Sequence, residues 1–104
     1  KLYNCVVTGN LATEFAMDTI QMSGVVLHFD FRNTLLRSEQ IYSDSFYDAS
    51  VIWNGQAAFT DPSNLDFTFG ASSDLQGNGL TTSVVTDILG NARNNPPDIG
   101  AIEN

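Results

Sequence analysis

Short apolar runs, interrupted every few residues by glycine, asparagine or proline, dominate this chain, and their β-branched and aromatic content reads as strands. Three of them share an order of small polar, small, aliphatic, aliphatic: Asn4-Cys5-Val6-Val7, Asn33-Thr34-Leu35-Leu36 and Ala49-Ser50-Val51-Ile52, the last running into Trp53. Their starts lie about thirty and then about sixteen residues apart, and the first interval is near one turn of a solenoid. The second is shorter than a turn. The pattern alone therefore leaves a solenoid and a free-standing β-sandwich binding module both open. In a solenoid, equivalent positions stack, so Asn4 and Asn33 are expected to form an amide ladder at a turn.

The segments between these runs differ in character. Residues 11–22 mix Phe, Met, Leu and Ile with Glu14 and Asp18 and read as an excursion, with one helical turn over residues 12–17. After Gly24 comes Val25-Val26-Leu27-His28-Phe29-Asp30-Phe31, whose alternation puts Leu27, Phe29 and Phe31 on one face and His28 and Asp30 on the other. Residues 38–48 read as an acidic surface loop whose aromatic side chains, Tyr42, Phe46 and Tyr47, fold back onto the body. Asn54-Gly55 is a turn signal, followed by a short strand at Ala57-Ala58-Phe59, a turn at Asp61-Pro62-Ser63-Asn64 and a strand at Asp66-Phe67-Thr68-Phe69. Residues 70–86 are rich in Gly, Ser, Thr and Asn and read as irregular loop, with Val84-Val85 a short edge strand.

The last stretch, residues 87–104, reads as a clasp. Gly90 supplies positive φ, while Pro96 and Pro97 forbid continued helix, so the chain is expected to fold back and leave as a strand over residues 99–102. Arg93 lies among Asp87, Asp98 and Glu103, and its planar fork of donors suits two carboxylates. Asp87, Gly90, Arg93, Asp98, Gly100 and Glu103 are the candidate structural residues.

The order Asp87-x-x-Gly90-x-x-Arg93, then Pro97-Asp98-Ile99-Gly100-Ala101-x-Glu103, resembles the C-terminus of bacterial surface proteins built as right-handed parallel β-helices, the pectin-lyase-like family. Asn4-Cys5-Val6-Val7, Asn33-Thr34-Leu35-Leu36, Asp61-Pro62, Asp66-Phe67-Thr68-Phe69 and Ala71-Ser72-Ser73 stand upstream in the order that family shows. The resemblance implies an all-β fold: residues 1–104 as a single domain, the last coils of a solenoid with long loops, closed by a terminal clasp at 87–104. It implies a secreted or cell-surface setting and a structural, ligand-presenting role connected with glycans. The rival it implies is the end segment of a polysaccharide lyase or glycoside hydrolase whose active residues lie in absent coils.

Composition narrows the partners. Four basic against twelve acidic residues give a net charge of −8 at pH 7, which argues against a nucleic-acid or anionic-membrane partner. No apolar run reaches transmembrane length. Lys1 stands directly before a strand pattern, so the chain reads as a fragment whose N-terminal edge is expected to meet upstream coils or a second copy. The lone Cys5 lies in an apolar pattern and reads as a packing residue.

Candidate chemistry is sparse. His28 with Asp30 is an acid/base spacing, but no nucleophile or metal ligand set joins it, and a solvated histidine is the simpler reading. Asp44 with Asp48, and Asp61 with Asp66, offer oxygen ligands of the kind calcium takes, without the spacing of a known loop. No other cofactor is indicated. Trp53, Tyr42 and Tyr47 are candidates for stacking on a glycan, set against the core's own need for aromatic area. Lys1, Arg32 and Arg37 are the cations left to serve as a lyase base, and no acidic cluster accompanies them; the segment reads as non-catalytic by itself.

Overall fold

The computed structural model describes residues 1–17, 24, 28–43 and 45–104, and it is all-β with short sheets. Strands β1 (Leu2–Tyr3), β2 (Val6–Val7), β3 (Phe31–Arg32), β4 (Leu35–Leu36) and β5 (Ile52–Trp53) belong to three successive passes of the chain. The passes stack in parallel. β1 pairs with β3, with Leu2 opposite Phe31, and β2, β4 and β5 form a three-stranded sheet in which Val6, Leu35 and Ile52 lie in one row and Val7, Leu36 and Trp53 in the next.

Each of the first two passes bends between its strands at an asparagine. Asn4 and Asn33 have φ of 53° and 46°, a left-handed conformation that asparagine tolerates better than other side-chained residues because its short amide bonds locally. The bend turns alternate residues to different partners. Leu2 and Val7, on either side of Asn4, both pack on the cluster of Phe31, Leu36 and Val51, so the bend is concave toward that cluster. Val6 and Ile52 face the other way, onto Leu35, Ala57, Phe69, Leu75 and Ile99. One strand pair thus supplies both cores.

The third pass runs one residue out of step with the expected alignment. Phe31 bridges Tyr47, which fits a sixteen-residue interval, but Leu35 lies opposite Ile52, so Ser50 rather than Ala49 is the counterpart of Asn33. The extra residue is absorbed in a tight turn in which the Asp48 carboxylate accepts the Ser50 amide and the Asp48 carbonyl accepts the Val51 amide. Ser50 then donates no ladder amide to Asn33; its hydroxyl accepts the Asn33 N–H at 2.8 Å.

The first excursion leaves no helix over residues 12–17 and instead lays Phe15 and Met17 on the Phe31 cluster. Phe15, Phe31, Tyr42, Tyr47 and Trp53 meet there, with Phe15 edge to face on Phe31, Tyr42 and Tyr47, and with Tyr47 stacked on Phe31 at 5.0 Å and on Tyr42 at 5.4 Å. Of the strand expected over 25–31, Val25, Val26 and Leu27 lie outside the described residues, and among the described residues 28–31 only Phe31 belongs to a paired strand.

Beyond β5 the chain makes an antiparallel hairpin of β6 (Phe59–Asp61) and β7 (Asp66–Phe69), joined by the 3-10 turn Pro62–Asn64. Ala57 and Ala58, expected in the strand, precede it; Ala57 is buried in the core and Ala58 has a φ of 49°, incompatible with an extended strand. Val84 and Val85 are exposed and form no strand, although Thr86 bridges Ala92 next to them. Residues 99–102 form no strand either. The backbone N–H of Ile99 goes to Leu75 and that of Gly100, at φ 109°, to Asn4, which are single bonds to two different partners.

Full burial of Leu35 between Val6 and Ile52 makes it the sensitive position of this core. Leu35→Ala is expected to lower the unfolding free energy by about 2–5 kcal/mol in urea denaturation. Leu65→Ala, at a side chain 79% exposed, should stay within about 0.5 kcal/mol of wild type.

Candidate functional site

The polar density of the molecule lies in residues 87–104, and it is organised by carboxylates that bind backbone. Asp87 opens a tight turn: one carboxylate oxygen accepts the amides of Leu89 and Asn91 at 2.8 Å each, and Gly90 takes φ 87° so that the chain can reverse. The second oxygen accepts the Asn91 side-chain amide and the Glu103 N–H, tying the turn to the end of the segment. These bonds favour the ionised form, the Glu103 amide most of all, and hold Asp87 down at about 2.

Arg93 is largely buried and pairs with one of the three acids that the sequence offers it, Glu103, and the rest of its fork goes to two carbonyls rather than to a second carboxylate. Its Nη1 lies 3.2 Å from Glu103 Oε2 and 3.2 Å from the Asp98 carbonyl, and Nη2 donates to the Gly100 carbonyl at 2.8 Å. The remaining lone pairs of Glu103 accept the amides of Asn94 and Asp98. Asp98 is 1% exposed and has no arginine partner; its carboxylate accepts the amides of Gly77 at 2.6 Å and Asn104 at 2.8 Å. A buried carboxylate that receives main-chain N–H groups needs no cation to be satisfied.

Through Asp98 this segment fixes a strip at residues 77–81, which in turn touches the stacked passes. Gly79 donates to the Pro97 carbonyl at 2.7 Å, and a Cβ at Gly79 would meet the Pro97 and Asp98 carbonyl oxygens at 2.7 and 2.8 Å. The strip's other side meets the asparagines. Asn33 donates to the Asn78 carbonyl, while Asn4 bonds Leu80 twice, donating to its carbonyl and accepting its N–H. The expected amide ladder is therefore replaced by two amides reading one neighbouring backbone. Sequence reasoning missed this strip because Gly77-Asn78-Gly79 carries only loop signals; the close glycine was the one sign that backbone approaches backbone there.

Beside the strip, an apolar hollow of about 700 Å³ lies between β2, the hairpin and residues 99–102. Val6, Phe59, Phe69, Leu75, Ile88 and Ile99 are among its walls.

The other candidates lie elsewhere. His28 is exposed, and the Asp30 carboxylate is engaged by the Tyr3 hydroxyl and by Arg32 Nε, which together lower its pKa, the Tyr3 bond more than the Arg32 one. Asp44 lies outside the described residues; the two Asp61 oxygens accept from Ser63 and Asn64, and one Asp66 oxygen accepts both the amide and the hydroxyl of Thr68. Among the described residues no group of three or more His, Cys, Asp or Glu side chains is placed to hold a metal ion. Tyr42, Tyr47 and Trp53 come together, with centroids 5.3–5.8 Å apart, but as half-buried members of the aromatic cluster. Lys1 lies over the Tyr3 ring, and Arg37 donates to the Gly9 carbonyl. Cys5 is half-buried, its thiol donates to the Tyr3 carbonyl, and burial pushes its pKa up. No helix among the described residues is long and apolar enough to cross a membrane.

Comparisons with protein-family models, with curated proteins and with solved structures give no match.

Two measurements probe the clasp. Arg93→Met strands Glu103, only 3% exposed in its side chain, together with two carbonyls, and is expected to cost about 3–5 kcal/mol of stability in chemical denaturation. Asp87, with its folded pKa at about 2 and an ordinary unfolded value near 3.8, contributes stability that is present above its unfolded pKa and is lost as pH falls from there through about 2. Unfolding midpoints measured across that window should fall for wild type and change less steeply for Asp87→Asn.

Proposed function

We propose that this chain is the closing part of a secreted or cell-surface right-handed parallel β-helix, with a structural and ligand-presenting role in a glycan-related setting. The observation that carries the reading is the parallel stacking of β2, β4 and β5 in register, with left-handed asparagines at the same bend in the first two passes. Such stacking needs a crossover between strands, and a chain that repeats one crossover with one bend builds coils rather than the hairpins of a sandwich. The secreted setting and the link to glycans rest on the resemblance of residues 87–104 and the upstream motifs to that family.

The chemistry favours scaffold over catalyst. His28 is solvated, Asp30 is held by Tyr3 and Arg32, and Arg93 is committed to Glu103, which leaves no basic group beside a free carboxylate at the positions singled out for chemistry. Presentation of a ligand falls to Trp53, Tyr42 and Tyr47, which are half-buried together beside the stacked passes.

In this reading β2 is an edge strand that a preceding coil would cover. It pairs among the described residues only with β4, and Val6 and Val7 are half-exposed where Leu35 and Leu36 one pass below are fully buried. The isolated chain is expected to self-associate through this edge, and Val6→Lys should shift it toward monomer in light scattering without loss of its β spectrum. A wild type that stays monomeric at high concentration would count against the reading. The purified chain should also form no unsaturated products from acidic glycans; such products, abolished by His28→Ala, would move the assignment to an enzyme.

A further inference from the structure

The outer edge of β2 is bordered by three features that together specify an occupant. The first is backbone. Leu35 donates to the Cys5 carbonyl and Arg37 to the Val7 carbonyl, so the alternation of a parallel ladder turns the N–H and C=O of Val6 to the side away from β4. The second is the apolar hollow against Val6, which continues the row of Val6, Leu35 and Ile52. A lipid or an apolar small molecule would fill the hollow but leave the Val6 amide unpaired. An extended peptide satisfies both.

The third feature is the strip at residues 78–82. Asn33 bonds residue 78 and Asn4 bonds residue 80, so the strip advances two residues for each pass. Passes lie ~4.8 Å apart and two extended residues span at most ~6.8 Å, so a slanted strip keeps this pace. The next backbone on the same side is that of Thr82. Its hydroxyl accepts the Val84 amide, Thr81 is pinned by Asn95, and Thr82 itself is exposed.

We propose that the β2 edge, the hollow and Thr82 form one acceptor site for a parallel strand of the pattern Asn-x-aliphatic-aliphatic. The first aliphatic side chain stacks on Val6, the carbonyl of the residue before it accepts the Val6 N–H, and the asparagine amide pairs with the Thr82 backbone as Asn4 pairs with Leu80. The occupant is the coil that precedes β1 in the β-helix reading, and the inference rests on that reading. It adds a sequence requirement: the strip selects an asparagine at the bend.

The probe is a blocked synthetic peptide with the sequence of residues 30–37, which already carries Asn33, Thr34, Leu35 and Leu36 in this pattern. Added at millimolar concentration to the full chain, itself kept dilute enough to be monomeric by light scattering, it should slow amide exchange at Val6 and Thr82 as followed by NMR. The same peptide with Asn33→Ala should bind on the order of tenfold more weakly, since it leaves the Thr82 backbone unpaired. Equal affinity of the two peptides, or no added protection at Val6 and Thr82 with either, overturns the inference. The β-helix reading is judged separately, on the chain without peptide: rapid exchange of the Leu35 and Ile52 amides would mean that the passes themselves are not stacked.

Discussion

Carboxylates that bind main-chain N–H groups hold this molecule together. Asp98 is the clearest case, because at 1% exposure its charge is met by the amides of Gly77 and Asn104 and by no side-chain cation. Burying an ion without partners is costly, and burying it against several aligned donors is not. The result is a fixed point joining two segments that have no regular secondary structure. Asp87 and Glu103 do the same for the turn at 89–91 and for Asn94, and Arg93 neutralises part of the charge they bring together. A segment without strands thereby obtains the rigidity that a ladder of backbone bonds supplies elsewhere.

That rigidity passes to the sheet through asparagine. Residues 77–81 are clamped on one side by Asp98, Pro97 and Asn95, and on the other side they receive Asn4 and Asn33. The same two asparagines adopt the left-handed conformation that turns β1 into β2 and β3 into β4. One residue type therefore does two jobs, bending the pass and tying it to the strip. The bend also decides the packing: it sends Val7 and Leu36 to the aromatic cluster and Val6 and Leu35 to the core of Phe69, Leu75 and Ile99.

The sequence made the local pieces legible wherever one residue type dictates geometry. Asn4-Cys5-Val6-Val7 and Asn33-Thr34-Leu35-Leu36 align in space as they align in sequence, and Asp66–Phe69 is a strand after a turn at Pro62–Asn64. The third pass was misaligned by one residue because Asp48 and Ser50 make a side-chain turn that adds length without altering the hydrophobic pattern. Residues 99–102 read as a strand because Gly90 reverses the chain and Pro96-Pro97 bars a helix before Ile99. Ile99 and Ile102 do face the hollow, but the backbone between them is spent on Leu75 and Asn4. Contacts from far along the chain overrule local signals there. The link from Asn4 to Leu80 could not be read locally, since nothing in a loop sequence records which distant amide its carbonyl will meet.

The β2 edge and the hairpin edge carry opposite kinds of group, and this asymmetry bears on where a strand can be added. At β2 the exposed groups are those of a regular ladder, flanked by Val6 and an apolar hollow, with no charged side chain of the strand itself to repel a neighbour. Folded proteins usually protect such an edge with a lysine, a proline or a bulge. Val6-Val7 carries none of these, whereas the hairpin edge carries Asp61, Pro62 and Asp66. The hairpin edge is therefore guarded against strand addition, and the β2 edge has the chemistry to accept it.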